Sequence, residues 1–478
     1  MSSYLSINEA GRRRKTEAGI TRRDLLRTMG TGFGMAGLAS TLGAATTGNL
    51  NPLAPKAPHF PAKAKHVIFL FLNGGPSQVD TFDPKPMLDK YHGQPAPSGN
   101  LKTERKTGTL LKSPFAFKPY GQSGIEISEL FPRLGGHADD LCVIRSMFTD
   151  RPNHEPSLFM MNCGDKFSGR PSMGSWLTYG LGTDNQNLPG YVVMCPGLPV
   201  LGPPLWTSAF LPGVYQGTYI PNGEKTPEKL VQYIRNPEIQ LPEQRRQLDL
   251  LGRLNALGLR RTGDDPQLEA TIQSAEVAFR MQTEAPEVFD IAREPEAIRK
   301  RYGDTAFGRG CLMALRLVEK GVRMVQIYHG DGQPWDNHDD ILIHRRLAAE
   351  ADPAIASLLE DLKLRGLFHE TLVIIGGEFG RTPAVEVSGL VKVQNGRDHN
   401  SAAFSTVLAG GGVKGGIAYG QTDDFGFKVV EKGVHPHDLH ATALHLLGLD
   451  HTKLTYRYSG RDFRLTDVAG EVVRDIIA

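Results

Sequence analysis

The sequence has few cysteines and almost no excess charge, and each shortage argues against a class of protein. Its four cysteines are widely spaced and form no CxxC pair: Cys142, Cys163, Cys195 and Cys311. This spacing argues against a zinc–thiolate cluster and leaves open whether the thiols are free or joined in a disulfide. In a chain of 478 residues, 54 basic residues balance 52 acidic ones to a net charge of +2. That balance gives no support to nucleic-acid binding.

The N-terminal region also lacks a hydrophobic run long enough to be a convincing membrane span. Thr21 to Arg27 reads TRRDLLR, and the weakly apolar segment that follows is rich in glycine. Twin arginines before such a segment resemble the bacterial signal that exports folded proteins. We predict a twin-arginine signal peptide over 1–45, recognised by the translocation machinery, and a linker over 46–65. The protein would then reside in the periplasm or cell envelope; a basic tail without targeting function is the alternative.

The rest of the chain alternates strand patterns with helix patterns. Continuous apolar runs predict strands buried on both faces of a parallel sheet, at 66–72, 141–144, 191–194, 323–328, 372–375 and 404–408. Helical patterns cover 304–320, 353–364 and 438–447. This alternation predicts an α/β fold with a doubly wound sheet and helices on both faces. The charged segment of about 224–301 has no strand pattern, so we predict a helical insertion in a domain over 66–478.

Residues suited to metal binding and acid–base chemistry follow several predicted strands. Strand ends meet at one edge of a doubly wound sheet, so these loops should share one site. The candidates are Asn73, Asp80, Asn153, His154, Asp336, His338, Glu378, Arg381, Arg397 and His399. Carboxylate and imidazole without thiolate suit a divalent ion such as Zn, Ca, Mg or Mn. The chemistry that this composition indicates is metal-assisted hydrolysis.

Each signal also has a structural interpretation. WDNHDD can be an Asx-rich turn, and Glu378 can simply pair with Arg381. His399 can be a loop histidine that makes one hydrogen bond, and Asp80 can cap the turn TFDPKP. The joint pattern is the stronger argument, because every loop falls where such a sheet places its site.

Six motifs in chain order resemble an exported family of unknown function numbered 1501, in the alkaline-phosphatase-like or sulfatase-like superfamily. They are FLNGGPSQVDTFDPKP, SMFTDRPNHEP, WDNH, GEFGRTP, GRDHN and HDLHATALHLLGLDH. The resemblance spans nearly the whole chain after the signal. It implies a three-layer α/β/α sandwich with a mostly parallel sheet and descent from metal-dependent hydrolases.

By position, the resemblance makes Asp336, His338, Glu378 and His399 metal ligands, with Asp80 as the carboxylate nearest the first strand. Asn73 stands where the superfamily has an aspartate directly after that strand. Phe379 stands where a ligand histidine is expected, and phenylalanine cannot bind a metal. The superfamily spacing Asp-x-x-x-His would instead select Asp340 and His344, which remain an alternative to Asp336 and His338.

The nucleophile is not identified by the resemblance. No cysteine lies in a C-x-P-x-R motif, which argues against formylglycine sulfatase chemistry. Aligned with that pattern, His154 takes the nucleophile position and Leu158 the arginine position. The nucleophile could be a hydroxyl of Ser146, Thr149 or Ser157, or a metal-bound water. His154 could bind the metal or act as acid or base.

Two functions from different classes follow. The first is an exported, metal-dependent hydrolase of sulfate or phosphate esters, acting on an anionic substrate such as a sulfated or phosphorylated glycan. In it, His154 would assist proton transfer, Arg381 and Arg397 would hold anionic oxygens, and Asn73 and Asn153 would contact the substrate. The second is a non-catalytic binding protein of the cell envelope on a degenerate hydrolase scaffold.

Overall fold

A computed structural model describes residues 51–97, 103–231, 238–262, 266–387, 389 and 393–478. The predicted signal peptide and the first residues of the predicted linker lie outside these ranges. Among the described helices, none is both long and apolar enough to cross a membrane. All four cysteines lie in the described ranges and are buried free thiols.

The described strands and helices, in chain order, have the following bounds. The strands are His66–Phe71 (β1), Thr107–Leu110 (β2), Phe117–Tyr120 (β3), Ile125–Ser128 (β4), Leu141–Met147 (β5), Tyr191–Met194 (β6), Thr218–Ile220 (β7), Met324–Tyr328 (β8), Thr371–Gly376 (β9), Gly380–Glu386 (β10), Arg397–Asn400 (β11), Phe404–Ala409 (β12), Ile417–Tyr419 (β13), Gln421–Thr422 (β14), Val429–Glu431 (β15), Tyr456–Tyr458 (β16) and Arg461–Phe463 (β17). The α-helices are Gln78–Thr81, Pro86–Lys90, Pro132–Gly135, His154–Cys163, Met173–Leu181, Pro227–Leu230, Leu241–Thr262, Pro266–Phe289, Glu296–Tyr302, Ala306–Glu319, Ile343–Leu364 and Pro436–Leu446.

The core is an eight-stranded sheet in the order β13-β5-β12-β9-β1-β8-β6-β7. β12 pairs antiparallel with both β5 and β9, and the other pairings in this sheet are parallel. The six strands predicted from apolar runs are all present as β1, β5, β6, β8, β9 and β12. The edge strands β7 and β13 are three residues each, too short to leave a recognisable pattern.

Helices cover both faces of the sheet, which confirms the predicted three-layer α/β/α arrangement. Side chains alternate along β1, so Val67 and Phe69 pack on one face while Ile68 and Leu70 pack on the other. The first face is covered by the helices His154–Cys163, Met173–Leu181 and Pro436–Leu446. The second is covered by Ala306–Glu319 and Ile343–Leu364.

One helix begins earlier than its sequence pattern indicates. The pattern predicts a helix over 353–364, but the helix runs over Ile343–Leu364. Leu347, Ala348 and Ala351 continue the buried face before the proline. Their burial offsets the backbone hydrogen bond that Pro353 cannot make.

The segment predicted as an insertion is helical where it is described. Its two long helices are Leu241–Thr262 and Pro266–Phe289. Met281 and Phe289 of the second helix join the core on the same face as Ala306–Glu319. That the segment is an insertion remains a prediction.

Three buried histidines should make the stability of this fold depend on pH. Burial lowers the pKa of His329, His344 and His440 to about 3. Their folded pKa lies below the ordinary value of about 6.5, so the unfolded chain binds more protons between these two values. Stability is therefore fully present above the ordinary pKa and is lost as pH falls toward 3.

We expect His440→Gln to reduce the loss of stability between pH 6 and pH 5 by about 1.4 kcal/mol per pH unit, the contribution of one proton. The measurement is the urea midpoint at several pH values. His369→Gln, at an exposed histidine, is the matched control and should leave the slope unchanged. Equal slopes for wild type and His440→Gln would contradict the assignment.

Candidate metal centre at the carboxyl edge of the sheet

The candidate site forms where the carboxyl ends of β1, β8 and β9 meet the start of β12. Because β12 runs opposite to its neighbours, the residues just before it lie at the same edge as the residues that follow β8 and β9. Asp336 comes from the loop after β8, Glu378 follows β9, and His399 lies in β11, just before β12. His154 is the first residue of the helix that follows β5.

Asp336 is the centre of this site. Its Oδ1 lies 2.8 Å from Nε2 of His338 and 3.2 Å from Nε2 of His399, and its Oδ2 lies 3.4 Å from Nε2 of His154. Arg381 donates from Nη2 to Oδ1 over 2.6 Å. Burial raises the pKa of Asp336, but the Arg381 charge and the imidazole contacts outweigh it and hold that pKa well below its usual value. The carboxyl group is therefore ionised.

Each of the three imidazoles also has a carboxylate at its other nitrogen. Nδ1 of His154 lies 2.7 Å from Glu378 Oε1, and Nδ1 of His399 lies 3.0 Å from Glu104 Oε2. Nδ1 of His338 makes a short contact with Glu386. A carboxylate accepts hydrogen bonds, so it favours a hydrogen on Nδ1 and leaves Nε2 as a lone pair.

The protein offers these Nε2 atoms few hydrogen-bond donors, among them Nη1 of Arg381, which lies 3.5 Å from Nε2 of His338. Nε2 of His338 and Nε2 of His399 are 3.1 Å apart, and only one hydrogen fits between them. When the His399 ring is neutral and keeps its hydrogen on Nδ1, its bare Nε2 faces the Asp336 carboxylate, an acceptor facing an acceptor. Nε2 of His154 is buried and has no hydrogen-bond partner. Burial also lowers the pKa of His399 to about 3, so this ring is neutral.

The local charge favours positive charge at the site. Burial lowers the pKa of His154, but the hydrogen bonds and charges of Asp336 and Glu378 outweigh burial and raise that pKa above its usual value. Five carboxylates surround the imidazoles: Glu104, Asp336, Glu378, Glu386 and Asp398. Two guanidinium groups oppose them, Arg381 on Asp336 and Arg105 on Glu386. The ligand atoms of His154, Asp336 and His399 lie within 4.8 Å of one another, and so do those of His338, Glu386 and Asp398. The donor types and their spacing fit a bound divalent ion.

Two glycines let the backbone approach closely enough to form the site. Gly74, directly after β1, has φ +109°, and a Cβ there would lie 2.6 Å from the backbone nitrogen of Asp336. Its N–H donates to Glu378 at 3.0 and 3.2 Å, which fixes the carboxylate that contacts His154. A Cβ at Gly396 would lie 1.9 Å from the carbonyl oxygen of His338. Side chains at either position would displace these loops.

The structure brings together most of the residues predicted from sequence. His154, Asp336, His338, Glu378, Arg381 and His399 form the cluster described above. Arg381 is fully buried, because it also donates to the backbone carbonyls of Gly74 and Gly75. It therefore contacts Asp336 from inside the protein.

Four other predicted residues lie outside this cluster. Asp80 and Arg397 are fully buried and form an ion pair. Arg397 donates from Nε to Asp80 Oδ2 over 2.7 Å and from Nη2 to Asp80 Oδ1 over 3.1 Å. Each charge is therefore neutralised by the other without a metal or a substrate. Asn73 donates to the carbonyls of Gly330 and Gly332. Asn153 is exposed, directly before His154.

The alternatives that the sequence left open are placed elsewhere. His344 has both ring nitrogens engaged, by Asn337 and by the N–H of Ser77, and Asp340 accepts from the Leu342 N–H and from Asn395. Two of the three candidate nucleophilic hydroxyls donate to backbone carbonyls, Ser146 to Lys432 and Ser157 to Arg151.

Sequence reasoning missed Glu104, Glu386 and Asp398. Glu386 carried a signal, because a carboxylate in the otherwise apolar strand PAVEV needs a buried partner. Asp398 is the residue before His399 in GRDHN and carries no separate signal there. Glu104 lies in the charged stretch TERK, where nothing distinguishes it from an ordinary surface residue.

The comparisons with known proteins agree with the resemblance. The family model described as "Protein of unknown function (DUF1501)" matches residues 64–477. No curated protein matches the chain. Similar solved structures include the lipoteichoic acid synthase LtaP from Listeria monocytogenes, with TM-score 0.35, 9% identity, 87% of this chain and 78% of that chain covered.

Two further structures are similar in the same degree. A protein of the alkaline phosphatase superfamily from Vibrio parahaemolyticus has TM-score 0.34 and 10% identity, over 91% of this chain and 81% of that chain. Alkaline phosphatase from the Antarctic bacterium TAB5 has TM-score 0.33 and 11% identity, over 80% of this chain and 98% of that chain. At such TM-scores these likenesses carry no argument about activity, and the fold class rests on the sheet itself.

The Asp80–Arg397 pair generates a stability prediction. Asp80→Ala should destabilise the protein by about 3–5 kcal/mol, because it leaves a buried guanidinium without its partner. The measurement is urea unfolding. Glu370→Ala breaks the exposed pair with Lys65 and should cost about 0–1 kcal/mol. Similar unfolding curves for the two variants would show that Asp80 is not held as a structural partner.

Proposed function

The chain belongs to the DUF1501 family, and we propose that it is a metal-dependent hydrolase of anionic esters, of sulfate or phosphate. This proposal rests on three imidazoles whose Nε2 atoms face the ionised Asp336 and whose Nδ1 atoms each contact another carboxylate. Such a set satisfies its hydrogen-bonding groups when a cation lies among the nitrogens and the carboxylate.

Those residues would hold the ion. His154, Asp336 and His399 offer ligand atoms, and His338 contributes a third imidazole. The side chains of His154, His338 and Asp336 are 12%, 13% and 22% exposed, so the site lies just beneath the protein surface. The sequence left His154 open as a ligand or as a proton-transfer group, and the Glu378 carboxylate at its Nδ1 favours the ligand role.

A divalent ion supplies Lewis acidity toward an anionic ester and activates water for hydrolysis. The protein contributes by orienting and neutralising groups. Glu378 holds His154, and Arg381 keeps Asp336 ionised. Because Arg381 and Arg397 are both buried, the charge of the ester would be met mainly by the ion. A sulfated or phosphorylated glycan remains a proposal for the substrate.

A second function has an observation in its favour. The Arg381 guanidinium already lies 2.6 Å from Asp336, and the Phe379 ring packs against His154 and His399 with ring centroids 4.7 Å away in each case. If the Arg381 guanidinium takes the place of a metal ion, the site would belong to a non-catalytic binding protein of the cell envelope. Metal analysis separates the two functions.

We expect the purified protein to contain about one equivalent of a divalent ion and to hydrolyse at least one member of a panel of aryl sulfates and phosphates. His399→Ala should lower the hydrolytic rate at least about 100-fold and release the ion, because it removes an imidazole ligand. Elemental analysis and steady-state rates are the measurements.

His369→Ala removes an exposed histidine and serves as the matched control, with metal content and rate unchanged. A metal-free protein without hydrolytic activity would favour the binding function. Hydrolysis that persists at the wild-type rate in His399→Ala would remove His399 from the mechanism.

We also propose export through the twin-arginine route, with the signal at 1–45. Arg22→Lys together with Arg23→Lys should keep the protein in the cytoplasm, because the translocation machinery reads this arginine pair. Cell fractionation followed by immunoblotting measures the location. The control is Arg12→Lys with Arg13→Lys in the same N-terminal region, which should export normally. Equal export of both variants would contradict the proposal.

A further inference from the structure

We propose that a buried cluster of four uncharged polar side chains positions His154 against Asp336. The members of this amide–tyrosine cluster are Asn162, Gln326, Tyr328 and Tyr191. They act on the site through the two elements that carry its residues, and they are therefore positioning residues. The inference deepens the proposed function, but it rests on that function only for its effect on hydrolysis.

The amide–tyrosine cluster is buried and internally hydrogen-bonded. Its four side chains are at most 2% exposed, on the sheet face that the helix His154–Cys163 covers. Gln326 donates from Nε2 to Asn162 Oδ1 over 2.6 Å and to the Tyr328 hydroxyl over 3.0 Å. The Tyr328 hydroxyl donates to Asn162 Oδ1 over 3.1 Å, and the Tyr191 hydroxyl donates to Gln326 Oε1 over 2.7 Å. Buried polar groups are tolerated when they are bonded in this way.

The cluster joins the two elements that carry His154 and Asp336. Asn162 lies in the helix whose first residue is His154. Gln326 and Tyr328 lie in β8, and the loop after β8 carries Asp336. The two hydrogen bonds to Asn162 Oδ1 therefore tie the helix to the strand, and this tie sets where His154 lies relative to Asp336.

Apolar packing gives this helix little information about its rotation. Every residue from Ser157 to Cys163 is buried, and a helix buried all round lacks the apolar stripe that selects a face. A shift by one residue turns a helix by about 100°. That turn would carry Asn162 away from Gln326 and leave buried polar groups without partners, which is unfavourable. A buried polar group can fix the register of an apolar interface for this reason.

The neighbouring helix Pro436–Leu446 also holds the helix, at its C-terminal end. Nε2 of His440 lies 2.9 Å from the carbonyl oxygen of Met161, and Nε2 of His437 lies 2.8 Å from that of Gly164. These contacts fix the last turn to another helix, whereas the amide–tyrosine cluster ties it to β8. Because Asp336 follows β8, the cluster is the tie that bears on the distance between His154 and Asp336.

Two variants sever the tie in different ways. Asn162→Leu removes the acceptor of both hydrogen bonds from β8. The apolar variant combines Asn162→Leu, Gln326→Met, Tyr328→Phe and Tyr191→Phe, so the donors that Asn162→Leu leaves unpaired are removed as well. Thr178→Val is the matched control, because Thr178 is buried in a helix on the same sheet face and its hydroxyl donates to carbonyls of its own helix.

Crystal structures of the purified variants measure the distances from His154 to Glu378 and Asp336, which are 2.7 and 3.4 Å. Urea unfolding measures stability. We expect Asn162→Leu to lower the urea midpoint and the apolar variant to recover most of the loss. In both, His154 should move by about 1 Å or more, and hydrolysis should fall about 100-fold. Thr178→Val should keep His154 in place and the rate unchanged.

The inference is overturned if the apolar variant folds and His154 lies where it does in Thr178→Val. Should the apolar variant fail to fold, Asn162→Leu decides by the same comparison. Failure of both variants to fold, with Thr178→Val stable, would assign the cluster to folding alone and also overturn the inference. A slower hydrolase with His154 in place would lose this inference and keep the proposed function. A displaced His154 in a protein that hydrolyses no ester would keep the inference and lose the hydrolase.

Discussion

The site depends on the contact between the Asp336 carboxylate and three imidazoles whose Nε2 atoms are poor hydrogen-bond donors to it. Glu104, Glu378 and Glu386 each occupy the second nitrogen of one ring. A neutral ring with its hydrogen on Nδ1 directs its Nε2 lone pair at the ionised Asp336, which is unfavourable unless positive charge is present. Arg381 supplies one such charge from the protein interior, and a divalent ion would supply the rest.

The sheet topology explains how residues distant in sequence reach this contact. The loops after β8 and β9 end at the same edge because these strands are parallel to β1 between them. β12 enters from that edge because it is antiparallel, so His399 joins residues that follow other strands. In β10 and β11, Arg381 lies opposite His399, which places the guanidinium beside the imidazole cluster. The one reversed strand in the sheet is thus what brings His399 to the site.

The same interactions that order the site also limit its chemistry. Arg381 keeps Asp336 ionised but occupies one side of its Oδ1, where it competes with an ion. Phe379 packs against two of the imidazoles and offers no ligand atom, so it restrains their rings without adding to the donor set. Glu378 is directed at His154. Arg381 and Phe379 thus take up space around Asp336 and the imidazoles without adding a ligand atom.

The sequence by itself determined the family, the α/β class and the six main strands, because long apolar runs have few other ways to be buried. It also identified most of the clustered residues, since strand ends in such a sheet share one edge. Only the tertiary structure decided which polar residues face one another. Asp80 and Arg397 are equally polar in sequence yet form a closed pair, whereas Glu104 resembles a surface residue and contacts His399. Sequence patterns report burial and local geometry, but the pairing of side chains across loops depends on distances of a few ångströms that only packing sets.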